Sequence, residues 1–426
     1  MLFRVLPFVK ISYATPHAFC RWSVLKEGCI WMAVIRVRGF RFAGVACGIK
    51  KSKKKDLALI VSDRPAVAAG LFTTNQVKSP AVLVGLKKVK RAKIQAIVVN
   101  SGNANACTGA RGLRDAEAVC EKLAGLLGID ADLVLPSSTG IIGIPLPMDK
   151  IYRGIETARQ VLSTDSLAHA AEAILTTDRF AKMATGRAVV GGKRIQIAGM
   201  VKGAGMIAPR MATMLAYVLT DAAVEPACLR AVLRTAADDT FNAVTVDGDM
   251  STNDTVLVLA NGLAENRVIK RGTRDEGIFF NALRGVMQKL ALQLVQDGEG
   301  ATKVVEIRAE GARSTEEAKK LAFSVAESQL VKTAFFGEDP NFGRIMVALG
   351  AAGVPITPER VNVFFDRVAV LRRGVGLPGS EKKAARVLRR RRFTVRIQLG
   401  LGRESVRVWT CDLSHEYVRI NSAYRT

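Results

Sequence analysis

Short apolar runs of strand length alternate along this chain with longer segments whose apolar residues recur at helical spacing. That alternation predicts a mixed α/β fold. The size agrees: 426 residues, 49% of them hydrophobic and 24% charged, suit a globular protein of two or more lobes. No apolar run reaches the roughly 18 residues that a membrane-spanning helix needs. The expectation is a soluble, cytoplasmic protein with no membrane partner.

The elements follow in order. Residues 1–31 are basic, carry one acid (Glu27) and hold Trp22 and Trp31. They lack a long arginine-rich amphipathic pattern and read as a poorly ordered extension ahead of a start at Met32. Residues 56–62 and 94–100 are apolar runs suited to buried strands. Between residues 115 and 127, Ala118, Leu123 and Leu127 mark a helix. Pro226 suits the first turn of a helix whose Leu229, Val232, Leu233 and Ala236 share one face. Residues 255–260 form a strand closed by the turn signal Asn261-Gly262. Phe279, Leu283, Val286, Met287, Leu290 and Leu294 form a helical stripe that reads as core. Ser314-Thr-Glu-Glu317 has capping-box form. Residues 372–392, with Gly374, Gly376, Pro378, Gly379 and dense basic charge, read as a flexible insertion. Residues 393–399 alternate as a half-buried strand.

Several function classes are disfavoured by composition. The seven cysteines (20, 29, 47, 107, 120, 228 and 411) are odd in number and include no Cys-x-x-Cys pair, so free thiols in a reducing compartment are expected. His17, His169 and His415 fall in no Ser-His-Asp or metal-ligand pattern. The net charge of +25 is concentrated in residues 50–55 and 386–392 and in the N-terminal segment. These runs are not interleaved with stacking aromatics, so they read as solvated loops with no specific nucleic-acid partner. A basic nucleic-acid-binding protein is the non-enzymatic alternative. Asp247, Asp249, Ser251 and Asn253 alternate like calcium ligands. Thr252, however, stands where that loop needs glycine and Val258 where it needs glutamate, so no metal is expected. No phosphate loop or dinucleotide fingerprint is present, and no cofactor is expected.

Residues 202–215, Lys-Gly-Ala-Gly-Met-Ile-Ala-Pro-Arg-Met-Ala-Thr-Met-Leu, carry the sharpest chemical signal. Gly203, Gly205 and Pro209 suit an irregular approach to Thr213. A threonine hydroxyl is a poor nucleophile until a base takes its proton, and the α-amine of an N-terminal threonine is such a base. That amine has an unperturbed pKa of about 7.7–8. Breaking the Ala212–Thr213 bond would therefore place nucleophile and base in one residue. Taken alone, the segment is a turn.

Seven further segments reverse that reading. They are residues 100–109 (Asn-Ser-Gly-Asn-Ala-Asn-Ala-Cys-Thr-Gly), 137–143 (Ser-Ser-Thr-Gly-Ile-Ile-Gly), 176–178 (Thr-Thr-Asp), 244–254, 297–303 (Asp-Gly-Glu-Gly-Ala-Thr-Lys), 332–343 and 409–426. In this order and spacing the chain resembles the ornithine acetyltransferase (glutamate N-acetyltransferase) family of arginine biosynthesis, from about Gly39 to its last residue. Arg210 and Gln398 depart from the family pattern.

The resemblance implies a layered α/β/β/α sandwich of the self-cleaving type. It implies cleavage between Ala212 and Thr213 into an alpha chain (32–212, after the extension 1–31) and a beta chain (213–426). Thr213 is then the nucleophile, and Thr139 and Gly140 form the oxyanion hole. Thr176, Lys202, Thr213, Glu299, Asn421 and Thr426 line the substrate site. The implied reaction moves the acetyl group of N2-acetyl-L-ornithine to L-glutamate by a ping-pong route, with acetyl-CoA as a candidate second donor. Two alpha and two beta chains are expected to assemble. The enzymatic alternative is an aminopeptidase-like amidohydrolase with the same kind of nucleophile.

Overall fold

The computed structural model describes residues 35–208 and 214–423. The extension 1–31, the cleavage pair Ala212 and Thr213, and Thr426 lie outside them. The first lobe contains, in chain order, β1 (Phe40–Val45), β2 (Leu57–Phe72), α1 (Pro80–Val89), β3 (Lys93–Asn103), α2 (Gly109–Leu127), β4 (Val134–Ile141), α3 (Met148–Gln160), α4 (Leu167–Ala173), β5 (Lys182–Val190), β6 (Lys193–Lys202), β7 (Leu215–Thr220), α5 (Pro226–Asp239), β8 (Thr255–Ala260) and α6 (Arg274–Gln296). The second contains β9 (Val304–Ala312), α7 (Thr315–Glu327), α8 (Gln329–Phe336), α9 (Phe342–Gly350), β10 (Asn362–Phe365), β11 (Val368–Arg372), β12 (Val375–Gly376), α10 (Glu381–Leu388), β13 (Arg392–Gln398) and β14 (Glu404–Cys411). A last helix, α11 (His415–Ala423), returns to the first lobe.

One long strand organises the first lobe. The sheet order is β4-β3-β2-β8-β7-β6-β5, with β1 also paired to β2. Residues 57–62 of β2 pair with β1, whereas residues 67–72 pair with β8. Between them lies an irregular stretch containing Pro65, which has no N–H to offer a neighbour. Here the sheet passes from one layer to another. Phe40, Phe42, Ile97 and Val99 of one half share a core with Met200, Leu215, Tyr217 and Leu257 of the other. Outside them, α2 and α3 cover Leu57, Leu59 and Val98, while α5 and α6 cover Ile197, Val218 and Val258. The result is the α/β/β/α sandwich.

The second lobe went unforeseen as a separate layer pair. Its sheet runs β12-β11-β10-β13-β9-β14, with β9 and β13 parallel. Helices α7 to α10 bury one face of it. The stretch read as a flexible insertion is structured instead: α10 lies within it, and Ala384, Val387 and Leu388 are buried in that core. Its basic residues occupy the remaining helix face, which is why composition alone resembled a loop.

Other expectations hold. Pro226 opens α5, and every residue of the 279–294 stripe is buried along α6. Ser314 caps α7 by accepting the Glu317 N–H at 3.2 Å. Lys51, Lys53 and Lys54 are exposed in the β1–β2 connection. Asp56 anchors that connection by accepting the N–H groups of Cys47, Ile49 and Lys50. Replacing Leu290, buried where α6 meets β6, by alanine is expected to cost about 2–5 kcal/mol of stability in urea unfolding, through the cavity it leaves.

Candidate active site

Strand ends and connections from both layers converge at one end of the sandwich. Thr139 and Gly140 close β4 beside the end of β3. Gly140 has φ +132°, and a Cβ there would sit 2.3 Å from the carbonyl carbon of Gly102, so only glycine fits. Asn253, just before β8, donates from Nδ2 to the carbonyls of Ala104 and Ser138, each at 2.7 Å. Ser138 in turn donates to Asn100 Oδ1 at 2.7 Å. The Thr139-Gly140 corner is therefore held from three sides.

Behind it lies a buried ion cluster. Lys182 is fully buried, and its Nζ lies 2.6 Å from Asp178 and 2.5 Å from Asp297. Asp178 also accepts the N–H groups of Thr176 (2.9 Å) and Gly203 (2.7 Å). Asp297 accepts from the backbone and guanidinium of Arg179. Burial alone would raise the Asp178 carboxyl, but the charges of Lys182 and Lys202 hold it below the ordinary range. Lys202 is 3% exposed, and its Nζ donates to Thr176 Oγ1 at 3.3 Å. Burial pushes its ammonium below the usual lysine range, against the attraction of Asp178 and Asp254.

The connection between β6 and β7 leaves from Lys202 and returns at Leu215, its antiparallel partner. Its first half is fixed residue by residue. Glu299 donates its N–H to the Ala204 carbonyl at 2.9 Å. A Cβ on Gly205 would meet the Glu299 carboxylate at 2.5 Å. Asp247 accepts the N–H groups of Met206 (2.7 Å) and Ile207 (2.8 Å). Burial pushes the Asp247 carboxyl up to about 6. On the returning side, Met214 donates its N–H to Asp254 Oδ1 at 3.2 Å. Helix α11 closes the other wall: Tyr417 donates to Asp247 at 3.3 Å, and Asn421 donates to Glu299 at 2.7 Å.

These groups enclose a cleft of about 240 Å³. Thr139, Gly140, Thr176, Lys202, Glu299 and Asn421 all line it. Lys202 and Glu299 are buried rather than surface charges. The Asp247 carboxylate, weighed in sequence as a calcium-type ligand, accepts the N–H groups of the connection. The sequence reading passed over Asp254, Tyr417 and the cluster around Lys182, and it weighed Asp247 and Asn253 only as calcium ligands. Asp178, Asp254 and Asp297 did stand inside quoted motifs. Their signal was acid placed next to strand ends, where backbone N–H groups need acceptors.

The model of the ArgJ family matches residues 41–426. This chain belongs to the ArgJ family. The arginine biosynthesis bifunctional protein ArgJ of Geobacter sulfurreducens is 49% identical to it over 393 residues, 92% of this chain and 100% of that one. Among solved structures, the ArgJ protein of Bacillus halodurans is 38% identical, covers 48% of this chain and 96% of its own, and has a TM-score of 0.47. The ornithine acetyltransferase of Mycobacterium tuberculosis, complexed with ornithine, is 35% identical, covers 42% and 94%, and has a TM-score of 0.37.

Two tests follow for this ArgJ-family site. The folded chain holds the Asp247 proton up to about pH 6, whereas a free aspartate releases it near 3.8. Between those values the folded state binds more protons, so this residue makes stability fall as pH rises. Asp247→Asn is expected to remove that slope, checked by denaturant unfolding of both proteins at pH 4, 5 and 6.5. Lys182→Met removes the cation that Asp178 and Asp297 share, leaving Asp297 only Arg179, and is expected to cost about 3–5 kcal/mol in the same assay at neutral pH.

Proposed function

We propose that this chain cuts itself between Ala212 and Thr213 and then uses Thr213 to carry an acetyl group from N2-acetyl-L-ornithine to L-glutamate, a step of arginine biosynthesis. One observation carries the reading: six residues from distant parts of the chain converge on a cleft of amino-acid size, at the connection that contains Thr213. Family membership supports the same reaction class.

Self-cleavage starts when the Thr213 hydroxyl attacks the Ala212 carbonyl. The C–N bond breaks as the ester forms, which frees the Thr213 amine, and water then hydrolyses the ester to the Ala212 carboxylate and the Thr213 hydroxyl. In transfer, the hydroxyl gives its proton to that amine as Oγ bonds to the acetyl carbon. The tetrahedral oxyanion is met by the Thr139 hydroxyl and the Gly140 N–H. Ornithine leaves with the proton, and the amine of glutamate attacks the acetyl-threonine in the reverse sense. Lys202 meets the α-carboxylate common to both amino acids, while Glu299 favours the cationic ornithine tail. Asn421 orients Glu299, and Thr426 completes the substrate site. Acetyl-CoA enters as an alternative donor to the same threonine. No metal or cofactor takes part. The products 1–212 and 213–426 pair as an α2β2 assembly in the cytoplasm.

Intact mass and N-terminal sequencing of freshly purified protein test the first step. Two chains, the second starting Thr213-Met-Leu-Ala, are expected, and Thr213→Ala should leave one chain and abolish transfer. A persistent single wild-type chain overturns the reading. Glutamate-dependent formation of N-acetylglutamate separates transfer from the hydrolysis that an aminopeptidase-like enzyme would show. Glu299→Gln is expected to raise KM for N2-acetylornithine about tenfold or more, through loss of a buried charge partner.

A further inference from the structure

We infer that Asp254 is a positioning residue for Thr213, gripping the Thr213–Met214 peptide and presenting its second carboxylate oxygen to the α-amine that cleavage creates. The inference rests on the proposed role of Thr213 and deepens it. Three features of the described residues lead to Asp254. It is 1% exposed at the entry to β8, and β8 runs parallel to β7 with Thr255 beside Leu215. Its Oδ1 accepts the N–H of Met214, the amide bonded directly to the Thr213 carbonyl. Its Oδ2 is buried with no hydrogen bond of good geometry among the described residues, the Ser251 and Thr73 hydroxyls being the neighbours that ease the carboxylate's burial.

An unsatisfied carboxylate oxygen in such a place calls for a donor. In the uncut chain, the nitrogen of residue 213 carries only an amide N–H. After the cut it is an ammonium or amine, three covalent bonds from the nitrogen of residue 214 and so within about 4 Å of it. The two oxygens of one carboxylate can span such a pair, as successive backbone N–H groups span an anion. Burial drives the Asp254 carboxyl well above its ordinary range, and Lys202 is the cation that draws it back. A newly formed ammonium would add a second cation.

The proton path then closes. The Thr213 hydroxyl proton passes to the amine as Oγ bonds to the acetyl carbon. The resulting ammonium donates to Asp254, and it returns the proton to the ornithine nitrogen as the C–N bond breaks. Asp254 touches neither substrate nor the reacting carbon; it fixes the direction in which the amine points.

Wild type, Asp254→Asn and Asp254→Glu are compared as full chains by intact mass, thermal melting and steady-state transfer. Asn keeps the shape but cannot stabilise an ammonium. D254N is expected to melt at or above the wild-type temperature and to self-cleave more slowly. In its cleaved fraction, kcat should fall about 100-fold, with KM for N2-acetylornithine within about threefold. D254E restores the charge and should recover part of that kcat. A D254N enzyme with wild-type kcat overturns the inference, as does a loss that D254E leaves unrecovered while the melting temperature falls. Wild-type protein that never cleaves overturns the Thr213 reading itself, which separates the two failures.

Discussion

Lys182 lies between Asp178 and Asp297 with no solvent to screen it, and the placing of the cleft depends on that contact. A buried ion cluster is a poor source of stability, because desolvating the charges consumes much of what their attraction returns. Its value here is geometric. Asp178 also holds Thr176 and Gly203, while Asp297 introduces the segment that bears Glu299. Three stretches far apart in sequence thus meet around one ammonium group. A well-packed apolar substitute could fill that space, but it could not dictate where the N–H of Gly203 points.

The charge of the cleft differs from that of the molecule around it. The chain has a net charge of +25, and among the described residues Lys51, Lys53, Lys54, Arg386 and Arg389 to Arg392 are exposed. Among the described lining residues, Lys202 is the cation, set against Asp247, Asp249 and Glu299. The long-range field therefore attracts anions, whereas the cleft itself sets one ammonium against three carboxylates. Attraction from a distance is weakened by salt far more than contacts inside a buried cleft.

How much of this was legible in sequence depends on the kind of signal. The strip from Phe279 to Leu294 announced its buried face because helical periodicity is local, and so did Pro226 at the start of α5. The bend of the first sheet was not legible. It depends on β2 exchanging β1 for β8 across Pro65, and pairing partners leave no mark on a strand's own pattern. The α10 region was misread because Ala384, Val387 and Leu388 are few among many arginines and lysines. Thr139, Gly140, Lys202 and Glu299 were found through their motifs rather than through physical pattern. Asp254 escaped, and Asp247 was weighed only as a metal ligand, because a carboxylate that accepts backbone N–H groups looks, in sequence, like any other loop acid.

The pairing of β6 with β7 has a thermodynamic consequence. Lys202 and Leu215 face each other across these strands, and β7 is also paired with β8. Once the bond between residues 212 and 213 is cut, as proposed, the sheet keeps its strands, but its unfolded form becomes two molecules instead of one. Refolding would then require an encounter between them, and the apparent midpoint of unfolding would depend on concentration. The mature protein would be a structure reached in one direction only. It would be assembled as a single chain, and its persistence would be set by the height of the barrier to unfolding.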